Sequence, residues 1–192
     1  MIRHLRRDAR GTTIVEFGVL APVMITLIMG AIEMGHFLSV RSTLEGAVVE
    51  AARQATASME IDEDDRDQAM RDLITKHMSA FPIAEGHQLV IATKAYRDFG
   101  TAYPEEFTDT NGNGVYDPGE AFIDRNGNGH WDPDLPISGT DLGSPGDVVS
   151  YTAIFVTDPY FQMIGRIMGL EGGLTLTATT VVRNEPVKKK TT

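Results

Sequence analysis

Two short acidic loops carry the side chains of this chain that are best suited to chemistry. The first matches the pattern D-x-[DN]-x-[DN]-G-x5-E, which wraps oxygen ligands around one cation. A glycine at the sixth position permits the sharp turn, and a glutamate at the twelfth position closes the site with two oxygens. The predicted ligands of this first loop are Asp109, Asn111, Asn113, the carbonyl of Val115, Asp117 and Glu120.

A second copy of the pattern begins at Asp124. Its closing glutamate is missing, because Leu135 stands at the twelfth position, and we expect the neighbouring Asp134 to replace it. Hard oxygen ligands without His or Cys side chains favour calcium over zinc, so we predict calcium as the cofactor. The predicted ligands of this second loop are Asp124, Asn126, Asn128, the carbonyl of His130, Asp132 and Asp134.

A turn-rich acidic segment without a metal is the alternative, since Asn-Gly pairs make turns by themselves. That alternative explains the Asn and Gly residues but not the repeated spacing of the aspartates. Only residues 121–123 separate the loops, so the helices of an EF-hand pair cannot fit, and the unit resembles the tandem aspartate-rich calcium repeats of extracellular proteins. The surrounding segment, residues 98–147, has nine glycines and five prolines, and we expect bound calcium to order it.

Composition excludes several classes of function. The chain has 192 residues and a net charge of −10, which suits cations and argues against nucleic acid as a partner. The absence of cysteine excludes disulfides and thiolate chemistry. The five histidines are scattered, and no phosphate loop or nucleophile elbow occurs, so we predict that the protein is not an enzyme.

An apolar segment near the N-terminus predicts a membrane anchor. Phe17 to Ile32 contains no charge and covers about 24 Å as a helix, and apolar residues continue to Phe37. Four arginines precede it, which places the N-terminus in the cytoplasm and the rest of the chain outside the membrane. The alternatives are a buried core helix and a removed secretory signal, but no A-x-A-like site follows the segment.

A more specific motif stands at the start of this segment. The motif residues Gly11, Thr12, Glu16 and Phe17 form G-x-x-x-x-E-F between a basic leader and an apolar helix, which resembles the processing site of type IV prepilins. The resemblance implies cleavage after Gly11 by a prepilin peptidase and a free amine at Thr12. A carboxylate in lipid is costly, so Glu16 would pair with that amine of a neighbouring subunit; the alternative is that it lies at the headgroup interface.

Residues 7–56 as a whole resemble the N-terminal region of TadE-like proteins, the pseudopilins of tight-adherence (Tad/Flp) pili. The resemblance is carried by residues 15–17, the Pro22 region, Gly30 with Glu33, and residues 51–53, while residues 36–37 depart from the pattern. Residues 146–161 and 172–186 are similar to the C-terminal half of the same family.

This family resemblance implies a minor pilin or pseudopilin in the bacterial inner membrane, whose partners are other pilin subunits and the Tad inner-membrane platform. A membrane-anchored, calcium-binding adhesin that never enters a filament is the alternative.

The elements that must position these residues form a predicted α+β fold of pilin type. We expect a leader (1–11), a long N-terminal helix (12–57), a second helix and first strand (58–97), the insertion (98–147), two C-terminal strands (148–185) and a tail (186–192). Small residues at 46, 47, 51, 52 and 55 would face the protein's own sheet, a neighbouring subunit, or both. The apolar segment 158–173 is expected to cover the sheet, with a membrane or partner contact as the alternative.

Overall fold

One long helix, α1 (Arg10–Ala57), organises the fold, and its two halves have different surroundings. The computed structural model describes residues 10–186, with side chains from Val15 onward, so most of the predicted leader and nearly all of the predicted tail lie outside it. At about 1.5 Å per residue the helix is roughly 72 Å long. Its side chains are largely exposed from Val15 to Ile32, and from Glu33 onward one face is buried at helical spacing.

The exposed half of α1, residues 15–32, is called the anchor segment below. It contains an 18-residue window with a mean hydropathy of 2.1, of which 0% is buried, and this is the one candidate membrane span in the described part of the chain. A core helix would have covered this surface with other parts of the protein. The bare anchor segment therefore argues against the core-helix alternative.

The second half of α1 forms the centre of the globular domain. A second helix, α2 (Glu63–Met78), packs against it with Met70, Ile74 and Met78 buried. Acidic residues in the first turn of α2 favour a helix start, because carboxylates stabilise the positive end of the helix dipole.

Three antiparallel strands cover another side of α1. They are β1 (Val90–Tyr96), β2 (Val148–Thr157) and β3 (Leu174–Arg183), in the order β1-β2-β3. Alternate residues of β2, among them Tyr151 and Phe155, are buried toward the core, as period-two patterning requires. The predicted α+β class, with a long N-terminal helix on a small antiparallel sheet, is confirmed.

Small side chains let α1 approach its own domain closely. The alanines at 47, 51, 52 and 55 are all buried in the core, whereas Gly46 is exposed. Of the two surfaces considered for these residues, the structure assigns the alanines to the protein's own core.

The two ends of the domain are distinct. At one end Val148 pairs with Tyr96 and Arg183, and the N–H of Glu185 donates to the carbonyl of Thr56 near the end of α1. The other end lies beside Glu33, where β2 has finished. The insertion, residues 98–147, therefore leaves the fold at the end remote from the anchor segment, which we call the distal end. The length of β2 separates the two ends by about 30 Å.

The remaining helices are short. A 3₁₀ turn spans Gly100–Ala102, and α3 (Gln162–Ile167) follows β2 at the proximal end, beside the anchor segment. The main packing partner of α3 is α1, which differs from the expected cover over the sheet. The reason is electrostatic: the buried carboxylate of Glu33 accepts hydrogen bonds from the N–H groups of Tyr160 (3.0 Å) and Phe161 (2.9 Å).

We predict that Ala51→Leu destabilises the domain. Ala51 lies on the buried face of α1 and is fully buried in the core. The larger side chain should therefore lower the free energy of unfolding by about 1–3 kcal/mol. Thermal unfolding of the full chain in detergent, followed by circular dichroism, measures the effect. Ala69→Leu on the exposed face of α2 is the matched control and should change little. Equal stability of the two variants would contradict the assigned packing.

Candidate cation-binding loops and anchor

The two acidic loops share one hydrogen-bond pattern. In the first loop, Asp109 Oδ1 accepts the N–H of Gly112 (2.7 Å) and of Asn113 (3.2 Å), and its Oδ2 accepts that of Gly114 (2.8 Å). In the second loop, Asp124 accepts the equivalent three N–H groups at 2.6, 3.2 and 2.8 Å. The repeated sequence pattern therefore specifies a repeated structure.

These backbone donors also fix the charge of the leading aspartates. Hydrogen bonds from the N–H groups, that of Gly114 above all, hold the pKa of the Asp109 carboxyl below its ordinary value. The pKa of Asp124 is lowered in the same way, chiefly by the N–H of Gly129. Both carboxylates are consequently ionised at neutral pH. The backbone has positive φ angles at Gly114 (78°) and Gly129 (77°), a conformation that favours glycine over other residues at these turns.

The ninth position of each loop gathers amide donors. Asp117 Oδ2 accepts the Nδ2 groups of Asn111 (2.6 Å) and Asn113 (2.8 Å). In the second loop the corresponding distances, from two asparagines to Asp132 Oδ2, are 2.9 and 2.7 Å. The Asn amides of each loop thus donate the hydrogen bonds that its second aspartate accepts.

A glutamate closes each loop, but the two glutamates come from different places in the sequence. Glu120 accepts the N–H of Thr110 (2.8 Å) and of Asp117 (3.0 Å), the second and ninth positions of the first loop. The second and ninth N–H groups of the other loop donate to Glu105 at 2.6 and 3.1 Å. Glu105, which is 1% exposed, thus takes the closing position for which the second loop has no glutamate of its own.

Asp134, which we expected to close the second loop, is bound to β1. Its Oδ2 accepts hydrogen bonds from Lys94 Nζ and Tyr96 Oη, both at 2.7 Å. Burial and this carboxylate raise the pKa of Tyr96. The structure places the carboxylate of Asp134 where it joins the insertion to the sheet, and it places Glu105 at the closing position instead.

Between the loops lies a cluster of aromatic rings, which the sequence analysis did not anticipate. The rings of Tyr116 and Trp131 stack, with centroids 4.8 Å apart and planes at 10°. Phe107 makes edge contacts with both rings, and Phe122 makes one with Tyr116. Trp131 Nε1 donates to the carbonyl of Glu105 at 2.8 Å. The insertion therefore has a small apolar cluster of its own.

The far side of the insertion is fixed to α2. Glu63 Oε1 accepts hydrogen bonds from Thr140 Oγ1 and from the N–H groups of Asp141 and Leu142 at 2.7–3.0 Å. Burial acts to raise the pKa of Glu63, but these donors lower it below its ordinary value. The insertion is thus attached to both β1 and α2.

The loops are not assembled as a cluster of carboxylates. In residues 15–186 no group of three or more His, Cys, Asp or Glu side chains stands in an arrangement that could hold a metal ion. The oxygen atoms that could ligate a cation are divided between carboxylates and Asn amides. In the present geometry the amide nitrogens, rather than the amide oxygens, point to the second aspartate of each loop.

The anchor segment begins at the predicted processing motif. Gly11 and Thr12 lie within the first turn of α1, and the structure describes side chains only from Val15 onward. Glu16 and Phe17 are exposed on the helix surface. The carboxylate of Glu16 therefore points away from the protein, into the surroundings of the anchor segment.

Comparison with known proteins agrees with the sequence resemblance. Residues 11–53 match a family model described as TadE-like protein, which covers the anchor segment and most of the buried half of α1. No curated protein and no solved structure matches the chain. The insertion and the sheet lie outside the matched residues.

We predict that Glu105→Ala loosens the insertion. The substitution removes the acceptor of the N–H groups of Arg125 and Asp132, which should cost about 1–3 kcal/mol for each group left unpaired. Emission from Trp131, which contacts Glu105, should shift to the red as water reaches the ring. Glu106→Ala, at the exposed neighbouring position, is the matched control. Unchanged Trp131 emission in Glu105→Ala would show that the carboxylate does not organise the loops.

Proposed function

Because the N-terminal segment of this chain is TadE-like, we propose that the protein is a minor pilin or pseudopilin that takes part in assembling a Tad/Flp-type pilus. The observation that carries the proposal is the division of α1 into a bare apolar half and a half that forms the core of a globular domain. Such a helix holds a domain at a membrane and offers an apolar surface on which further helices can pack.

The partners follow from this role. The bare anchor segment would contact lipid before assembly and the helices of other pilin subunits afterward, with the Tad inner-membrane platform as the site of assembly. The arginines before the anchor segment favour a cytoplasmic N-terminus, and the globular domain would then lie on the periplasmic or extracellular side. The insertion at the distal end would point away from the membrane.

Processing by a prepilin peptidase is part of the proposal. Cleavage after Gly11 would leave an amine at Thr12, one helical turn from Glu16. A lipid-facing carboxylate is costly unless it is paired, and the amine of a neighbouring subunit is a charge of the required sign. Gly11, Thr12, Glu16 and Phe17 would thus serve processing and assembly.

The insertion would bind calcium in each of its two loops. The donor set fits calcium, since each loop offers two aspartates, two Asn amide oxygens, a backbone carbonyl and a closing glutamate. The carboxylates of Asp117 and Asp132 accept hydrogen bonds from Asn amides, and a cation bound in each loop would stabilise the same carboxylates. The ion would add stability by binding the folded form only.

The closing glutamate of the second loop would be Glu105 rather than Asp134. Its two oxygens hold the same backbone positions of the second loop that Glu120 holds in the first. The proposed ligands are therefore Asp109, Asn111, Asn113, Val115, Asp117 and Glu120 in one loop, and Asp124, Asn126, Asn128, His130, Asp132 and Glu105 in the other.

A second candidate function is a membrane-anchored, calcium-binding adhesin that stays outside any filament. The position of the insertion at the distal end favours it, since that end is the one most available to a receptor. The two functions differ at the N-terminus, because only the pilin requires the free amine at Thr12.

We predict that the mature chain begins at Thr12. Mass spectrometry of the protein from its native membrane should show the loss of residues 1–11, and the peptidase should be required for that loss. Gly11→Ala should leave the leader in place, because the predicted cleavage follows this glycine. A chain that keeps Met1 in the presence of the peptidase would exclude the pilin proposal and leave the adhesin.

We predict that the protein binds two calcium ions, one in each loop. Calorimetric titration of the calcium-free protein should give a stoichiometry of two, reduced to one by Asp109→Ala or by Asp124→Ala. Glu120→Gln should weaken the ion of the first loop and Glu105→Gln that of the second. We expect each of these two substitutions to lower the calcium affinity of its loop at least about tenfold, the loss seen when an outer-shell partner of a metal site is removed.

Glu106→Gln is the control for charge alone and should retain both ions. Equal heats for the wild type and for the double variant Asp109→Ala, Asp124→Ala would remove the calcium proposal. That result would leave the pilin proposal untouched, because the two depend on different parts of the chain.

A further inference from the structure

The proximal end of the domain carries an exposed apolar surface made by α3 and its flanking residues. Ile167 is 70% exposed and Met163 is 50% exposed, and Tyr160 and Met168 are exposed beside them. Ile164, in the same short helix, is buried. Residues 160–168, called the α3 surface here, thus turn large apolar side chains away from the protein.

From this arrangement we infer that the α3 surface is a second membrane contact, which lies in the interface of the bilayer beside the anchor. The inference goes beyond the proposed function and rests on the part of it that places the anchor segment in lipid. The occupant is a lipid surface, recognised by apolar side chains at the depth where headgroups meet acyl chains.

The level of α3 along α1 supports this inference. Glu33 is the first fully buried residue after the anchor segment, and its carboxylate holds the N–H groups of Tyr160 and Phe161. The anchor segment covers about 27 Å at about 1.5 Å per residue, close to the roughly 30 Å of a hydrocarbon core. The α3 surface therefore lies at the boundary where this hydrocarbon ends.

Neighbouring side chains continue the apolar surface around the helix. Ile32, Met34 and Leu38 of α1 are at least half exposed at the same level. The ring of Tyr160 contacts that of buried His36, with centroids 3.9 Å apart and planes tilted by 34°, and Tyr160 still exposes more than half of its surface. Aromatic rings with one apolar side and one polar tip are enriched at this depth of a bilayer.

Charge around the α3 surface is mixed. Arg166 is exposed on α3 and can reach lipid phosphates. The exposed acidic residues Asp158 and Glu171 flank the helix on its two sides in the sequence. The contact is therefore carried by the apolar side chains, with Arg166 as its basic member. Anionic lipid should strengthen the contact without being required for it.

The inference predicts quenching of a tryptophan at position 167 by brominated lipid. Full-length protein with Trp131→Phe and Ile167→Trp is reconstituted into vesicles of phosphatidylcholine and phosphatidylglycerol. We expect its emission to fall by about half with lipid brominated near the headgroup, and less with lipid brominated near the chain ends. Trp131→Phe with Ile123→Trp, an exposed position in the insertion, is the matched control and should keep its emission.

Three results would overturn the inference. Vesicle-bound protein without quenching at position 167 would show that the α3 surface stays in water. Quenching that disappears as the protein-to-lipid ratio rises would assign the surface to a second copy of the chain. Equal quenching at positions 167 and 123 would show that the signal is not specific to α3. Protein that does not stay with the vesicles would instead contradict the membrane anchor itself.

Discussion

The structure depends on one helix that serves two environments without a break. A helix satisfies its backbone hydrogen bonds internally, so α1 can leave lipid and enter a protein core with no change of conformation. Its first half is apolar on all sides, and its second half buries one face against α2 and the sheet. Because the strands run alongside this second half, the direction of α1 fixes which end of the domain faces the membrane and which carries the insertion.

Glutamates hold the irregular parts of the chain to this frame. Glu33, Glu63, Glu105 and Glu120 each accept backbone N–H groups, and all but Glu120 accept them from segments far away in sequence. Loops lack the hydrogen-bond partners that helices and strands provide, and a carboxylate with two oxygens can satisfy several donors at once. The same chemistry thus joins α3 to α1, the insertion to α2, and the two ends of each acidic loop.

Local patterns in the sequence predicted most of the fold. The strand pattern predicted two C-terminal strands within residues 148–185, the apolar run predicted α1, and the aspartate spacing predicted two equivalent loops. Contacts between distant segments were not predictable in this way. Glu105 precedes the second loop by nineteen residues and the first loop stands between them, so no local pattern links the two. The stack of Tyr116 on Trp131 escaped prediction for the same reason.

The strand order also determines how the domain would respond to mechanical load. The insertion is attached to the distal ends of β1 and β2, whereas α1 is held from the opposite direction. Tension between a surface gripped by the insertion and the membrane would pull β2 lengthwise past β3, across a ladder of ten residue pairs. In that shear geometry the hydrogen bonds of the ladder would share the force and break together.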